Sequence, residues 1–230
     1  MTLNGPGTPR EATQGPRFLV VEDHPLFRDA LVGVVTTVFP GAEILQATTI
    51  DGALDMLAAR GAVDLVLLDL SMPETAGLLG AYRVRVAAPR SALVIVSAYE
   101  DSRIIGGATA LGIAGYIPKS TPKTELAQLI RSILEGAVCF PKCEQDTAAA
   151  KRAHADAKDL LALLELLTSQ QLRVLDMIGR GLQNKHIAYQ LDISVTTVKV
   201  HVSDVLRKLG VRSRTEAIVR MSALDFLRPK

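Results

Sequence analysis

The sequence predicts an α/β doubly wound, five-stranded parallel sheet followed by a small all-α domain of helix-turn-helix form. Three observations carry this. Short apolar runs alternate with helical patterns five times between residues 17 and 135. The runs are apolar throughout rather than every second residue, as expected of strands covered by helices on both faces. From Thr168 onward the periodicity is helical only.

Arg17–Val21 (RFLVV) reads as a buried strand. Pro25–Val38 follows, with Leu26, Ala30, Leu31, Val34, Val35 and Val38 at helical spacing. Glu43–Ala47 is a second strand, and Asp51–Arg60 a short helix ended by Gly61. Val63–Leu68 (VDLVLL) is a third strand, and Thr75–Val86 a weaker helix. Ala92–Val96 (ALVIV) is a fourth strand, and Asp101–Leu111 a helix loosened by Gly106 and Gly107. Ala114–Ile117 is a short fifth strand, and Pro122–Glu135 a helix with proline in its first turn. After a break at 138–147, residues 148–167 favour helix and end in a leucine-rich stretch. Two readings of that segment stand: a linker helix packing its leucines on the C-terminal domain, favoured by barely one heptad of leucines, and a dimerising seam. Further helices are expected over 169–179, 184–191, 195–209 and 213–224, the first opening on a Thr168-Ser169-Gln170-Gln171 cap.

With 230 residues and 48% hydrophobic residues, the chain is long enough for two small cored domains. No apolar run approaches the roughly 20 residues that span a bilayer. Residues 1–16, rich in Gly, Pro and Thr, read as a disordered lead-in rather than a signal peptide, so a cytoplasmic location is expected. The two cysteines, Cys139 and Cys143, are expected to be incidental. Net charge is +2, but residues 161–230 hold 11 Lys and Arg against 6 Asp and Glu. That imbalance hints at a C-terminal part that meets nucleic acid.

In a doubly wound sheet, functional residues sit at the carboxyl ends of the strands. Here those ends carry Glu22 and Asp23, then Asp69, Ser97 and Lys119. Converging carboxylates repel unless a cation neutralises them, and a hard divalent ion, Mg2+, suits such oxygen ligands. An ion and a lysine together also suit a phosphoryl group. Asp69 would be the nucleophile, Lys119 would stabilise phosphate charge, and Ser97 would hydrogen-bond a phosphate oxygen. The plainer reading is a set of solvated strand-end polar residues, which five compatible residue types at neighbouring strand ends disfavour.

The blocks VVEDHPLFR, LVLLDLSMPET, VIVSAYED and GYIPKST resemble the signature segments of receiver domains, whose sheet is flavodoxin-like. The resemblance implies that Asp69 is the phospho-acceptor, and that Glu22, Asp23, Asp69 and the backbone carbonyl of Ser71 hold Mg2+. It also implies that Ser97 and Lys119 are the switch hydroxyl and phosphate-binding lysine, and that Tyr116 is the switch aromatic; a plain packing role for Tyr116 stays open. The chain departs from the family at Met72-Pro73-Glu74-Thr75-Ala76-Gly77, where an acidic residue and glycine are usual after Met-Pro, and at the Gly106-Gly107 pair.

In the C-terminal part, Ser194 is a natural N-cap for a helix whose apolar stripe is Val195, Val198, Val202, Val205, Leu206 and Leu209. The opposite face carries Thr196, Thr197, Lys199, Val200, Ser203, Arg207 and Lys208. Lys199, Val200 and Ser203 suit major-groove reading, and the threonines and helix ends suit phosphates. A solvated basic face through Arg207, Lys208, Arg212 and Arg214 is the competing reading. TVKVHVSDVLRKLGVRSRTEAI resembles the LuxR-type helix-turn-helix of NarL/FixJ-type two-component response regulators. That resemblance implies base contacts from Lys199, Val200 and Ser203, phosphate contacts from Lys185 and Thr197, and a dimer contact through helix 213–224. Gln171 stands where the family usually has an acidic residue.

The expected organisation is a lead-in at 1–16, a receiver domain at 17–137, a partly helical linker at 138–160 and a DNA-binding domain at 161–230. The expected function is that of a transcription factor rather than an enzyme. A sensor histidine kinase would phosphorylate Asp69 and so shift homodimerisation and binding to double-stranded DNA at inverted repeats, with no membrane partner. The alternative is a constitutive DNA-binding protein whose receiver is a phosphorylation-independent docking surface; the intact site residues argue against it.

Overall fold

The computed structural model describes residues 15–72, 77–98, 101–141 and 147–221. Most of the lead-in, Cys143, the departures from Pro73 to Ala76 and the end of the last expected helix lie outside the described residues. Five strands, β1 (Arg17–Val21), β2 (Glu43–Ala47), β3 (Leu65–Asp69), β4 (Ala92–Ser97) and β5 (Gly115–Pro118), form one parallel sheet in the order β2-β1-β3-β4-β5. Among the described residues, no helix is long and apolar enough to cross a membrane.

The apolar runs are explained by burial on both faces. Phe18 and Val20 of β1 and Leu65 and Leu67 of β3 point into one layer, with α1 (Pro25–Val38) and α5 (Lys123–Leu134). Leu19, Val21, Val66 and Leu68 point into the other, with α2 (Ile50–Arg60), α3 (Gly77–Ala87) and α4 (Ser102–Ala110). β3 begins at Leu65 rather than Val63 because its ladder with β1 starts at the pair Phe18–Leu65. It runs on to Asp69, which lies in register with Val96 of β4. Pro122 is the N-cap of α5 rather than its first residue.

α3 read as weak because its sequence lacks a polar face. Leu78, Leu79, Ala81, Tyr82, Arg83 and Val84 are all buried, so the helix is covered on more than one side. Its second cover is the C-terminal half. The chain continues with α6 (Ala148–Leu164), α7 (Ser169–Gly179), α8 (Asn184–Leu191), α9 (Val195–Lys208) and α10 (Arg214–Met221). Ala150, Ala153, Ala157, Leu160 and Leu164 of α6 are buried within the chain itself. Leu160 and Leu164 share one apolar cluster with Leu78 of α3, Leu172 and Leu175 of α7 and Val205 of α9. Leu160 and Leu164 thus pack within the chain, as the linker-helix reading expects, while Leu166 stays exposed.

The glycine pair of α4 lies inside a continuous helix, Ser102–Ala110, against close neighbours. A Cβ on Gly106 would strike the Ala150 carbonyl oxygen, and one on Gly107 would strike Leu78 Cδ1. Both glycines permit close approach of neighbouring helices, and the turns of α4 remain helical. Its N-cap is Asp101, which accepts from Arg103 N at 2.8 Å and Arg103 Nη2 at 2.8 Å. The Arg103 side-chain hydrogen bond, against some desolvation, holds the Asp101 carboxyl below its ordinary value. A lowered folded-state value means that this contribution to stability is present above the unfolded carboxylate range and is lost as pH falls through the folded value. Asp101→Ala is expected to cost about 1 kcal/mol in thermal or urea denaturation near neutral pH, and Asp101→Asn only a fraction of that.

Residues 138–140, within the break expected at 138–147, add a bridge to the edge of the sheet. Tyr116 N donates to the Cys139 carbonyl at 2.8 Å, and Cys139 N donates to the Ala114 carbonyl at 3.0 Å. A parallel bridge thus shields the outer edge of β5.

Candidate functional site

The strand order puts β1 and β3 side by side, so the residues after β1 meet the end of β3. Glu22 and Asp69 are buried there, and Asp23 is half-buried. Each of Glu22, Asp23, His24 and Asp69 offers a ligand atom, all within 4.8 Å of one another. Lys119, carried in by the end of β5, sets its Nζ 2.7 Å from Glu22 Oε2 and 3.1 Å from Asp69 Oδ2. The ammonium also sits 4.5 Å from the centre of the Phe27 ring.

Backbone donors fix the carboxylates. Ser71 N donates to Asp69 Oδ1 at 2.9 Å, and His24 N donates to Glu22 Oε1 at 3.1 Å. Lys119 N donates to the Ser97 carbonyl at 2.7 Å, tying the lysine to the strand end that carries the fully buried Ser97. Tyr116 is buried in β5, in register with Ile95. Asp23 Oδ1, Asp69 Oδ2 and Ser71 Oγ are buried without an aligned hydrogen bond, although His24 Nδ1 is close to Asp23 Oδ1 and Lys119 to Asp69 Oδ2. Hard oxygen donors, two of them without an aligned donor, fit a small divalent cation such as Mg2+.

The sequence reading missed His24. Its Nδ1 stands 3.0 Å from Asp23 Oδ1 and 3.1 Å from Glu22 Oε1, with the ring largely exposed. The available signal was its position directly after the carboxylate pair.

The second surface belongs to the C-terminal helices. Ser194 caps α9, its Oγ accepting from Thr197 N at 3.0 Å. Val198 and Val205 turn inward, while Thr196, Thr197, Lys199, Val200, Ser203 and Arg207 are exposed. Thr196, Lys199, Val200, Ser203 and Arg207 follow the three- and four-residue spacing of one helix face. Lys185 is exposed in the first turn of α8, and Tyr189, one turn further on, is exposed too and was not anticipated. The turn between α8 and α9 places Asp192 at φ 51 and ψ 48, a left-handed position that short polar side chains tolerate.

The basic run divides. Lys208 Nζ donates to the Leu166 carbonyl at 2.8 Å and to Gln171 Oε1 at 2.7 Å, and Arg214 donates to the Leu182 carbonyl. These two are structural ties, whereas Arg207 is exposed beside Asp204. Gln171, in place of an acid, still completes the capping box with Thr168 while it receives Lys208.

Known families match both parts of the chain. Residues 18–131 match the response regulator receiver domain family, and residues 165–221 match the bacterial regulatory proteins of the luxR family. The chain is 40% identical to a glycerol metabolism activator of Pseudomonas putida, over 91% of this chain and 96% of that one. It is 33% identical to the nitrate/nitrite response regulator protein NarP of Escherichia coli, over 88% and 93% respectively. This chain belongs to the NarL/FixJ-type two-component response regulators. It joins a receiver to a LuxR-type DNA-binding domain, and its relatives are transcription regulators. A LuxR family DNA-binding response regulator from Silicibacter pomeroyi shares 30% identity and a TM-score of 0.50, over 56% of this response regulator and 98% of that chain. Salmonella typhimurium RcsB, at 16% identity and a TM-score of 0.52 over 91% and 99%, shares the fold.

Proposed function

We propose that Asp69 is the phospho-acceptor of this response regulator and that its phosphorylation by a sensor histidine kinase shifts dimerisation and DNA binding. The observation that carries the reading is the end of β3, where a buried carboxylate has Oδ1 held by a backbone N–H and Oδ2 facing an ammonium. In the transfer, an Asp69 oxygen attacks the phosphorus of a phosphohistidine. The new O–P bond forms as the P–N bond breaks; its electron pair stays on the imidazole nitrogen, which takes up a proton. Lys119 stabilises charge on the phosphoryl oxygens, and the Ser97 hydroxyl hydrogen-bonds one of them. Glu22, Asp23, Asp69 and the Ser71 carbonyl would hold Mg2+, whose charge offsets the crowded carboxylates and the incoming phosphoryl group. Tyr116 would shift with Ser97.

On DNA, Lys199, Val200 and Ser203 read base edges in the major groove, and Lys185, Thr196, Thr197 and Arg207 contact phosphates. Two copies would bind an inverted repeat in the cytoplasm, their two-fold symmetry matching the site.

The test is incubation of the full chain with acetyl phosphate and Mg2+. Intact mass should rise by one phosphoryl group, mapped to Asp69, and a chelator added beforehand should abolish the gain. No uptake, as the constitutive docking alternative requires, or uptake that survives the chelator, refutes the proposal.

A further inference from the structure

We infer that the phosphorylation state of Asp69 reaches the DNA-binding half through the seat that α3 and α4 provide, with Arg83 and Gly106 as its two positioning residues. The inference rests on Asp69 being the phospho-acceptor. It goes further by naming the path of regulation.

The first limb is a reciprocal ionic clasp. Arg83 of α3 is buried, and its Nη1 reaches Asp176 of α7 at 3.3 Å while its Nη2 pairs with Asp51 of α2. Asp51 in turn lies 3.9 Å from Arg173 Nη2 of α7. Asp176, also buried, takes a second link from Arg180 at 3.1 Å. Each half of the chain thus supplies both a cation and an anion to the other. A buried guanidinium of this kind specifies one relative placement, because removing either partner strands a charge. The second limb is steric. Gly106 brings the backbone of α6 so close to α4 that a methyl group would strike the Ala150 carbonyl.

Both limbs connect to the site by a short stretch of chain. β3 ends on Asp69, and the connection after it leads into α3 and Arg83. β4 ends on Ser97, the hydroxyl assigned to the phosphoryl group, and four residues on the chain reaches Asp101 and α4. A change of shape at the end of β3 therefore reaches a helix that holds α7, and one at the end of β4 reaches a helix that holds the linker helix α6. The seat does not cover the base-reading face, since Lys199, Val200 and Ser203 are exposed with the clasp closed. Regulation here changes how the DNA-binding half is held relative to its receiver, rather than unmasking the recognition helix. Coupling of this kind is a free energy shared between two sites, and it vanishes when the element joining them is cut.

The experiment compares the full-length wild type with Arg83→Gln and with Gly106→Ala. Alanine favours helix over glycine, so the second variant opens the α4–α6 contact without weakening α4 itself. For each protein, phosphoryl uptake from acetyl phosphate and Mg2+ is measured first, then DNA affinity with and without the donor. Wild type is expected to show a ratio of the two affinities on the order of 5- to 150-fold. Both variants should take up phosphate as wild type does while that ratio falls to within about twofold of one. General destabilisation would lower both affinities and leave their ratio standing. Retention of the wild-type ratio by either variant overturns the inference. A ratio of one in the wild type itself, with phosphate bound, overturns the phosphorylation switch, and this inference falls with it.

Discussion

Asp69→Asn is expected to take up no phosphate from acetyl phosphate and to bind DNA identically with and without the donor. The substitution removes the attacking oxygen's charge and one of the two carboxylates that face Lys119, leaving Glu22 at 2.7 Å as its remaining anionic partner. The fold should persist, because Asn is nearly isosteric and β3 is held by its ladders to β1 and β4. The measurement is intact mass together with a DNA titration by fluorescence anisotropy, where the wild type should respond on the order of 5- to 150-fold. A phosphate-dependent change in Asp69→Asn would place the acceptor elsewhere and refute the assignment.

Lys199→Ala should have the largest effect on the DNA side. Lys199 is exposed one turn into α9, flanked by exposed Val200 and Ser203, and the base-reading role proposed for it sets the expected effect. Its loss is expected to cost about 1–3 kcal/mol on the preferred sequence and to relax the choice of base at one position per half-site. Lys185→Ala provides the contrast. As a phosphate contact it should weaken binding on all sequences alike and reduce the salt slope by about one per subunit. Selection of bound fragments, repeated at two salt concentrations, separates the two behaviours. Equal losses on specific and random DNA for Lys199→Ala would remove it from the base-reading set.

Most of the candidate site was legible beforehand because its residues stand at strand ends, and parallel topology brings those ends to one edge. Glu22, Asp23, Asp69, Ser97 and Lys119 needed only that geometry to be placed together. His24 was not legible, since an exposed ring next to two carboxylates carries no periodic signal. The basic run around α9 shows the opposite limit. Arg207 and Lys208 are adjacent in sequence, yet one faces solvent and the other is spent on the Leu166 carbonyl and Gln171. Charge alone does not distinguish a DNA contact from an internal tie.

The amino-acid sequence by itself determined the parallel sheet, the order of its helices, the capped recognition helix and the chemistry gathered at the strand ends. Local propensity, period and capping act over a few residues, and these features follow from them. Only the tertiary structure decided how the two halves meet. α3 read as a weak helix, and the glycine pair of α4 read as a source of looseness. α3 meets the C-terminal half through Arg83 with Asp176, and α4 through Gly106 beneath Ala150, while Gly107 faces Leu78 of α3. The physical reason is range: close approach between helices far apart in the chain leaves in each only an absent side chain or a missing polar face, and those acquire meaning once the partner is in place.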